Sequence, residues 1–153
     1  MNFPRLSLPE SELKLKKEGE RVFVHCKARK KWIVLTPEEW VRQHFISYLV
    51  TELSYPPSLM AVEKEIKVHG LKKRFDICCS DQTGTLKLLV ECKSADVELT
   101  EETFNQAARY NLTLKVSFLV ITNGVTHFCA KVNPDGNSVE YLKKIPSYTE
   151  VKR

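Results

Sequence analysis

The chain has no apolar run approaching the ~18 residues that a membrane-spanning helix needs; its apolar stretches are short, as at Leu88-Leu89-Val90. The opening stretch, residues 1–12, is polar and proline-bearing, without the apolar centre of a signal peptide, so the expected compartment is the cytoplasm. There is no CxxC pair and no Cys/His spacing of a zinc site. The five cysteines (Cys26, Cys78, Cys79, Cys92 and Cys129) mostly fall inside apolar runs and read as small core residues of a reduced protein. Internal repeats, low-complexity tracts and linkers are also missing. The expected organisation of the 153 residues is an irregular arm over 1–20 and a single domain over 21–153.

Charge is unevenly spread. Residues 1–35 carry nine Lys/Arg against four Asp/Glu, whereas 36–153 carry fifteen of each. The excess sits in Lys14-Leu15-Lys16-Lys17 and in Lys27-Ala28-Arg29-Lys30-Lys31, with a second cluster at Lys72-Lys73-Arg74. Clusters of this kind attract phosphate backbones; the alternative is a solvated arm that keeps the protein soluble.

The pattern predicts short strands at 21–25 and 32–35, flanking the basic stretch. A helix should start at Thr36-Pro37-Glu38-Glu39, with Thr as N-cap, Pro at the first helical position and Glu three residues after the cap. Val41, Phe45, Leu49 and Leu53 give it a core-facing stripe, and Tyr55-Pro56-Pro57 should end it. Strands are expected at 61–68, 74–79 and 86–92, a helix at 101–110, then strands at 116–121 and 127–132. This order describes an α/β fold.

Alternation places Phe75, Ile77 and Cys79 on one face of their strand and Arg74, Asp76 and Cys78 on the other. The next strand sets Leu86, Leu88, Val90 and Cys92 against Lys87, Leu89, Glu91 and Lys93. A hairpin folded near Thr83-Gly84 brings Asp76 opposite Glu91, with Lys93 two residues on. Two carboxylates that close repel unless a cation lies between them, and oxygen ligands suit magnesium or manganese. The alternative is a solvated Glu91–Lys93 ion pair on an exposed sheet.

Asp76 followed by Glu91-Cys92-Lys93 at the end of an apolar strand resembles the signature of the PD-(D/E)xK nuclease superfamily. Gln106-Ala107-Ala108-Arg109-Tyr110 is similar to the QxxxY helix of one of its branches, and Phe118-Leu119-Val120-Ile121-Thr122-Asn123-Gly124 to the strand and turn that follow. Pro37-Glu38-Glu39-Trp40-Val41-Arg42-Gln43 and Lys73-Arg74-Phe75-Asp76-Ile77 resemble the N-terminal domain of type I restriction endonuclease R subunits. The resemblance covers roughly residues 33–131. Phe75 replaces the proline of the superfamily's name. No GxxxxGK[ST] occurs, so the likeness stops short of the ATP-driven translocase of a full R subunit.

The resemblance implies a restriction-endonuclease-like core: a helix, a three-stranded antiparallel meander, a helix and further strands, preceded by a basic arm or hairpin. It implies a magnesium- or manganese-dependent endodeoxyribonuclease. Asp76, Glu91 and the Cys92 backbone carbonyl would hold metal and Lys93 would stabilise charge on the phosphate. It further implies a helix glutamate, for which Glu38 and Glu39 both stand available. Glu39 suits a capping box, so Glu38, counted on the core-facing stripe, is the choice. Gln106 and Tyr110 would support the site or touch DNA. Lys72, Lys73, Arg74, Lys27, Arg29, Lys30 and Lys31 are the candidate phosphate contacts. DNA, restriction-modification subunits or a separate translocase are the implied partners. A non-catalytic nucleic-acid-binding protein of the same fold, and a chain whose acidic hairpin is purely structural, are the competing readings.

Overall fold

A computed structural model describes residues 3–68, 70–112, 114, 116–133 and 138–153, with the backbone alone at 68, 71 and 110. Among these residues the strands form two sheets. The smaller joins β1 (Leu15–Glu18), β2 (Arg21–Cys26) and β3 (Lys31–Val34), all antiparallel. Thus Leu15–Glu18, expected within an irregular arm, is an edge strand paired to β2. Four residues too short and polar to show a periodicity gain their order from that ladder.

Helix α1 (Pro37–Thr51) begins as its sequence dictates: the Thr36 side chain accepts the Glu39 N–H at 3.1 Å, and Pro37 opens the first turn. It stops short of the prolines. Ser54 takes a left-handed φ of 64°, and Tyr55 N–H folds back onto the Leu49 carbonyl at 3.0 Å.

The larger sheet runs in the order β4 (Met60–Val68), β5 (Leu71–Ser80), β6 (Leu86–Cys92), β7 (Phe118–Thr122), β8 (His127–Val132) and β9 (Val139–Leu142). Only the β6–β7 pair among these neighbours is parallel, and α2 (Glu101–Leu112) makes the crossover between them. Strand alternation then sorts the core onto two sides. Leu88, Val90, Cys92, Phe118 and Val120 pack with Val41, Phe45, Ile46 and Leu49 of α1. Leu89, Leu119, Ile121 and Ala130 pack with Phe104 and Ala108 of α2. The larger sheet is therefore sandwiched between the two helices. All five cysteines are buried and free, as their apolar neighbours suggested.

The N-terminal segment docks as well. Ser7 N–H donates to the Gly124 carbonyl at 2.8 Å, Trp40 Nε1 to the Pro4 carbonyl at 2.9 Å, and Phe3 stacks on Trp40. At the far end α3 (Tyr148–Val151) closes on the core, where the buried Tyr55 hydroxyl donates to the Pro146 carbonyl at 2.7 Å.

Candidate active site

Strand β5 loses its alternation at one residue. Ile77 and Cys79 belong to the α1 side and Cys78 to the α2 side, but Phe75 also packs on the α2 side. The expected face of Phe75 with Ile77 is thus corrected. The cause lies opposite: β4 pairs Val62 with Ile77 and Lys64 with Phe75, skipping Glu63 and Asp76, and Glu63 has a left-handed φ of 57°. A non-glycine residue in that conformation within a strand is strained, and such strain gathers at functional positions.

At this break Asp76 turns towards α1. Its Oδ1 accepts Arg42 Nη2 at 2.6 Å, and its Oδ2 accepts the Cys92 N–H at 2.8 Å. Arg42, whose side chain is 7% exposed, reaches four carboxylates: Asp76, Glu39 at 2.6 Å, Glu38 at 3.2 Å and Glu63 at 3.6 Å. Burial opposes its charge, but the hydrogen bond to Asp76 and the negative charges of Glu39 and Asp76 outweigh it and raise its pKa.

Glu39 and Glu38, neighbours in sequence, have opposite fates. Glu39 does not fold back as a capping-box partner. It is buried, accepting Arg29 Nη2 on both oxygens at 2.9 Å, Arg42 at 2.6 Å and Gln43 Nε2 at 2.9 Å. Glu38 is not on the buried stripe, and its side chain is 48% exposed. It nevertheless stands beside Asp76: partial burial, then the Asp76 charge and a hydrogen bond to it, raise its carboxyl above the usual range, against the pull of Arg42 and Lys93. Glu38, Asp76 and Lys93 therefore share one neighbourhood.

Glu91 goes elsewhere. The register Ile77–Val90, continued one step, sets it next to Asp76 along the ladder. Its carboxylate, however, pairs with Lys73 Nζ at 2.7 Å, and Lys73 lies over the Phe75 ring on the α2 side. Among the described residues no three His, Cys, Asp or Glu side chains are arranged to hold a metal ion. The Cys92 thiol is held well above the ordinary thiol range, first by burial and then by the Asp76 charge, so it stays a neutral core group.

Of the basic candidates, Lys72, Arg74, Lys27, Lys30 and Lys31 are exposed. Arg29 differs. Its side chain is 13% exposed and clamps Glu39, with Glu63 at 3.5 Å. Gln106 is exposed on α2, and the Tyr110 side chain lies outside the described residues. The polar cluster of Arg29, Glu39, Arg42, Gln43 and Glu63 was not anticipated. Its one sequence signal was Arg42 standing three and four residues after Glu39 and Glu38, the spacing of helical ion pairs.

No curated protein sequence matches this chain. Residues 37–146 match the family described as type I restriction enzyme R protein N terminus (HSDR_N). The matched segment opens at the first residue of α1 and takes in the whole larger sheet, including the Glu38–Asp76 site and the Glu91-Cys92-Lys93 strand end. With more than two-thirds of its residues matched, the chain belongs to the family of type I restriction enzyme R protein N-terminal domains.

Proposed function

We propose that this domain hydrolyses phosphodiester bonds of DNA with the help of magnesium or manganese, as a member of the PD-(D/E)xK nucleases. The observation that carries the reading is that Glu38 and Asp76 meet on one nitrogen, Arg42 Nη2, at 3.2 and 2.6 Å, while Asp76 also accepts the N–H of Cys92, the residue before Lys93. Hard carboxylate oxygens that crowd each other are a donor set suited to a small divalent cation. Asp76, Glu38 and the Cys92 backbone carbonyl are the groups that would hold it; Glu91 would have to leave Lys73 on the α2 side to join them. When bound, the ion supplies an activated water and positive charge for the scissile phosphate.

The chain's own residues do the rest. Cys92 N–H orients one oxygen of Asp76. The exposed Lys93 stabilises negative charge growing on the phosphate. Lys72 and Arg74, both exposed, meet flanking phosphates and set register along the DNA, and the exposed Gln106 supports this from α2. The test is cleavage of plasmid and single-stranded DNA with manganese or magnesium. Asp76→Asn, Glu91→Ala and Lys93→Ala should each abolish cutting while circular dichroism stays unchanged. Variants that cut like the parent would move the chemistry elsewhere.

One observation favours a second reading, a nucleic-acid-binding domain without catalysis. Arg42 and the Cys92 N–H already satisfy both oxygens of Asp76, and Lys73 neutralises Glu91. Calorimetry separates the two, since manganese should bind the nuclease site and fail to bind the alternative.

A further inference from the structure

The outer face of the small sheet combines aromatic rings with positive charge. Lys16 faces Phe23 across β1–β2, and His25 faces Trp32 across β2–β3. The rings share that face: Lys16 Nζ lies 4.6 Å over Trp32 and 5.8 Å from the Phe23 centroid, Arg21 lies 5.4 Å over Phe23, and His25 meets Trp32 edge-on at 5.3 Å. The opposite face is the buried one, with Val24 and Cys26 fully covered. Trp32 remains 39% exposed, unusual for a residue whose large apolar ring gains from burial.

The charge around it is concentrated. Residues 14–31 hold eight Lys/Arg against two Glu, whereas the rest of the chain holds sixteen against seventeen. Of the eight, Arg29 is committed to the buried cluster with Glu39. Lys16 also meets Glu18 at 3.1 Å, a solvated pair that contributes little and parts readily. A protein partner would need a strongly acidic surface that also accepts three rings. A single nucleic-acid strand offers both features at once: phosphates at regular spacing for the cations and bases for the rings.

We propose that the outer face of β1–β3 is a single-strand nucleic-acid platform, with Trp32 and Phe23 stacking bases and Lys16 and Arg21 engaging the intervening phosphates. Lys16 occupies the place of a base over Trp32, and its flexible stem lets it swing onto a phosphate when a base arrives. The small sheet precedes the family segment, so the platform lies outside the residues matched at 37–146. It deepens the proposed action on DNA, but its chemistry uses neither Asp76 nor a metal.

The experiment is binding of a fluorescent dT12 oligonucleotide to the full chain in EDTA, followed by anisotropy over a range of salt. The parent should bind with quenching of tryptophan emission. Trp32→Ala should weaken binding at least about fivefold with the salt slope unchanged, because stacking disappears while the phosphates are still held. Lys16→Gln should flatten the salt slope. Phe23→Leu, which keeps an apolar side chain but removes the ring, should weaken binding with the circular dichroism spectrum intact. A parent that does not bind dT12, or a Trp32→Ala variant that binds equally well, overturns the platform, the former leaving an acidic protein surface as its partner. Because EDTA removes cleavage from the measurement, binding without metal-dependent cutting would overturn the nuclease reading alone.

Discussion

Arg42 on α1 and Asp76 on β5 meet at 2.6 Å, thirty-four residues apart in sequence, and each draws further partners into the cluster. Asp76 brings the Cys92 N–H of the neighbouring strand; Arg42 brings the buried Glu39, which brings Arg29 from the small sheet. One guanidinium thus ties the first helix to the larger sheet, and through Glu39 it also ties in the smaller one.

Arg42→Ala should therefore destabilise the fold by about 3–5 kcal/mol, the usual cost of removing one member of a buried ion pair, here from both Glu39 and Asp76. Replacing Arg29, Glu39 and Arg42 together by Met should cost less than Arg42→Ala alone, since none of the three buried charges is then left without its partners. Urea unfolding of the two variants checks both statements.

The raised Glu38 carboxyl makes stability depend on pH in a definite direction. A folded-state pKa above the unfolded one favours the protonated form, so this stabilisation is present in full below the unfolded pKa and lost as pH rises through the folded value. Glu38→Gln, permanently neutral, should gain stability over the parent near pH 7, and the gain should vanish in acid. Carbon-detected titration of Glu38 should also show its pKa falling on addition of magnesium. No change would separate Glu38 from the metal.

The basic turn between β2 and β3 splits into two kinds of cation. Neutralising Lys27, Lys30 and Lys31 should lower the log–log salt slope of duplex binding by up to about 0.9 for each phosphate that they neutralise in the parent. Stability should barely change, because these charges are solvated. Arg29→Ala should do the reverse, reducing stability by removing the two hydrogen bonds that Arg29 makes to the buried Glu39. Chemical denaturation beside a filter-binding salt series distinguishes them.

Gly124 should not tolerate a side chain. Its φ is +84°, and a Cβ there would come within 2.7 Å of Leu6 Cδ2. Gly124→Ala should cost about 1–2 kcal/mol for the left-handed backbone alone. It should also loosen the N-terminal segment held by the Ser7–Gly124 hydrogen bond, seen as faster hydrogen exchange at Ser7.

The sequence by itself determined the start of α1, since Thr36 and Pro37 act on their own first turn, and it determined the main strands and α2, whose alternations and stripes are local patterns. It also determined the family, through residues contiguous enough to be matched from 37 to 146. Only the tertiary structure decided which of Glu38 and Glu39 lies beside Asp76: adjacent residues point about 100° apart on a helix, and what waits at each angle comes from distant segments, Arg29 for one and Asp76 for the other. It likewise decided the company of Glu91. Alternation assumes a regular ladder, and the left-handed Glu63 breaks that ladder where Asp76 sits, turning Asp76 to Arg42 while Glu91 keeps to Lys73. Side-chain periodicity carries no record of such a break, because it arises between two strands and not within either one.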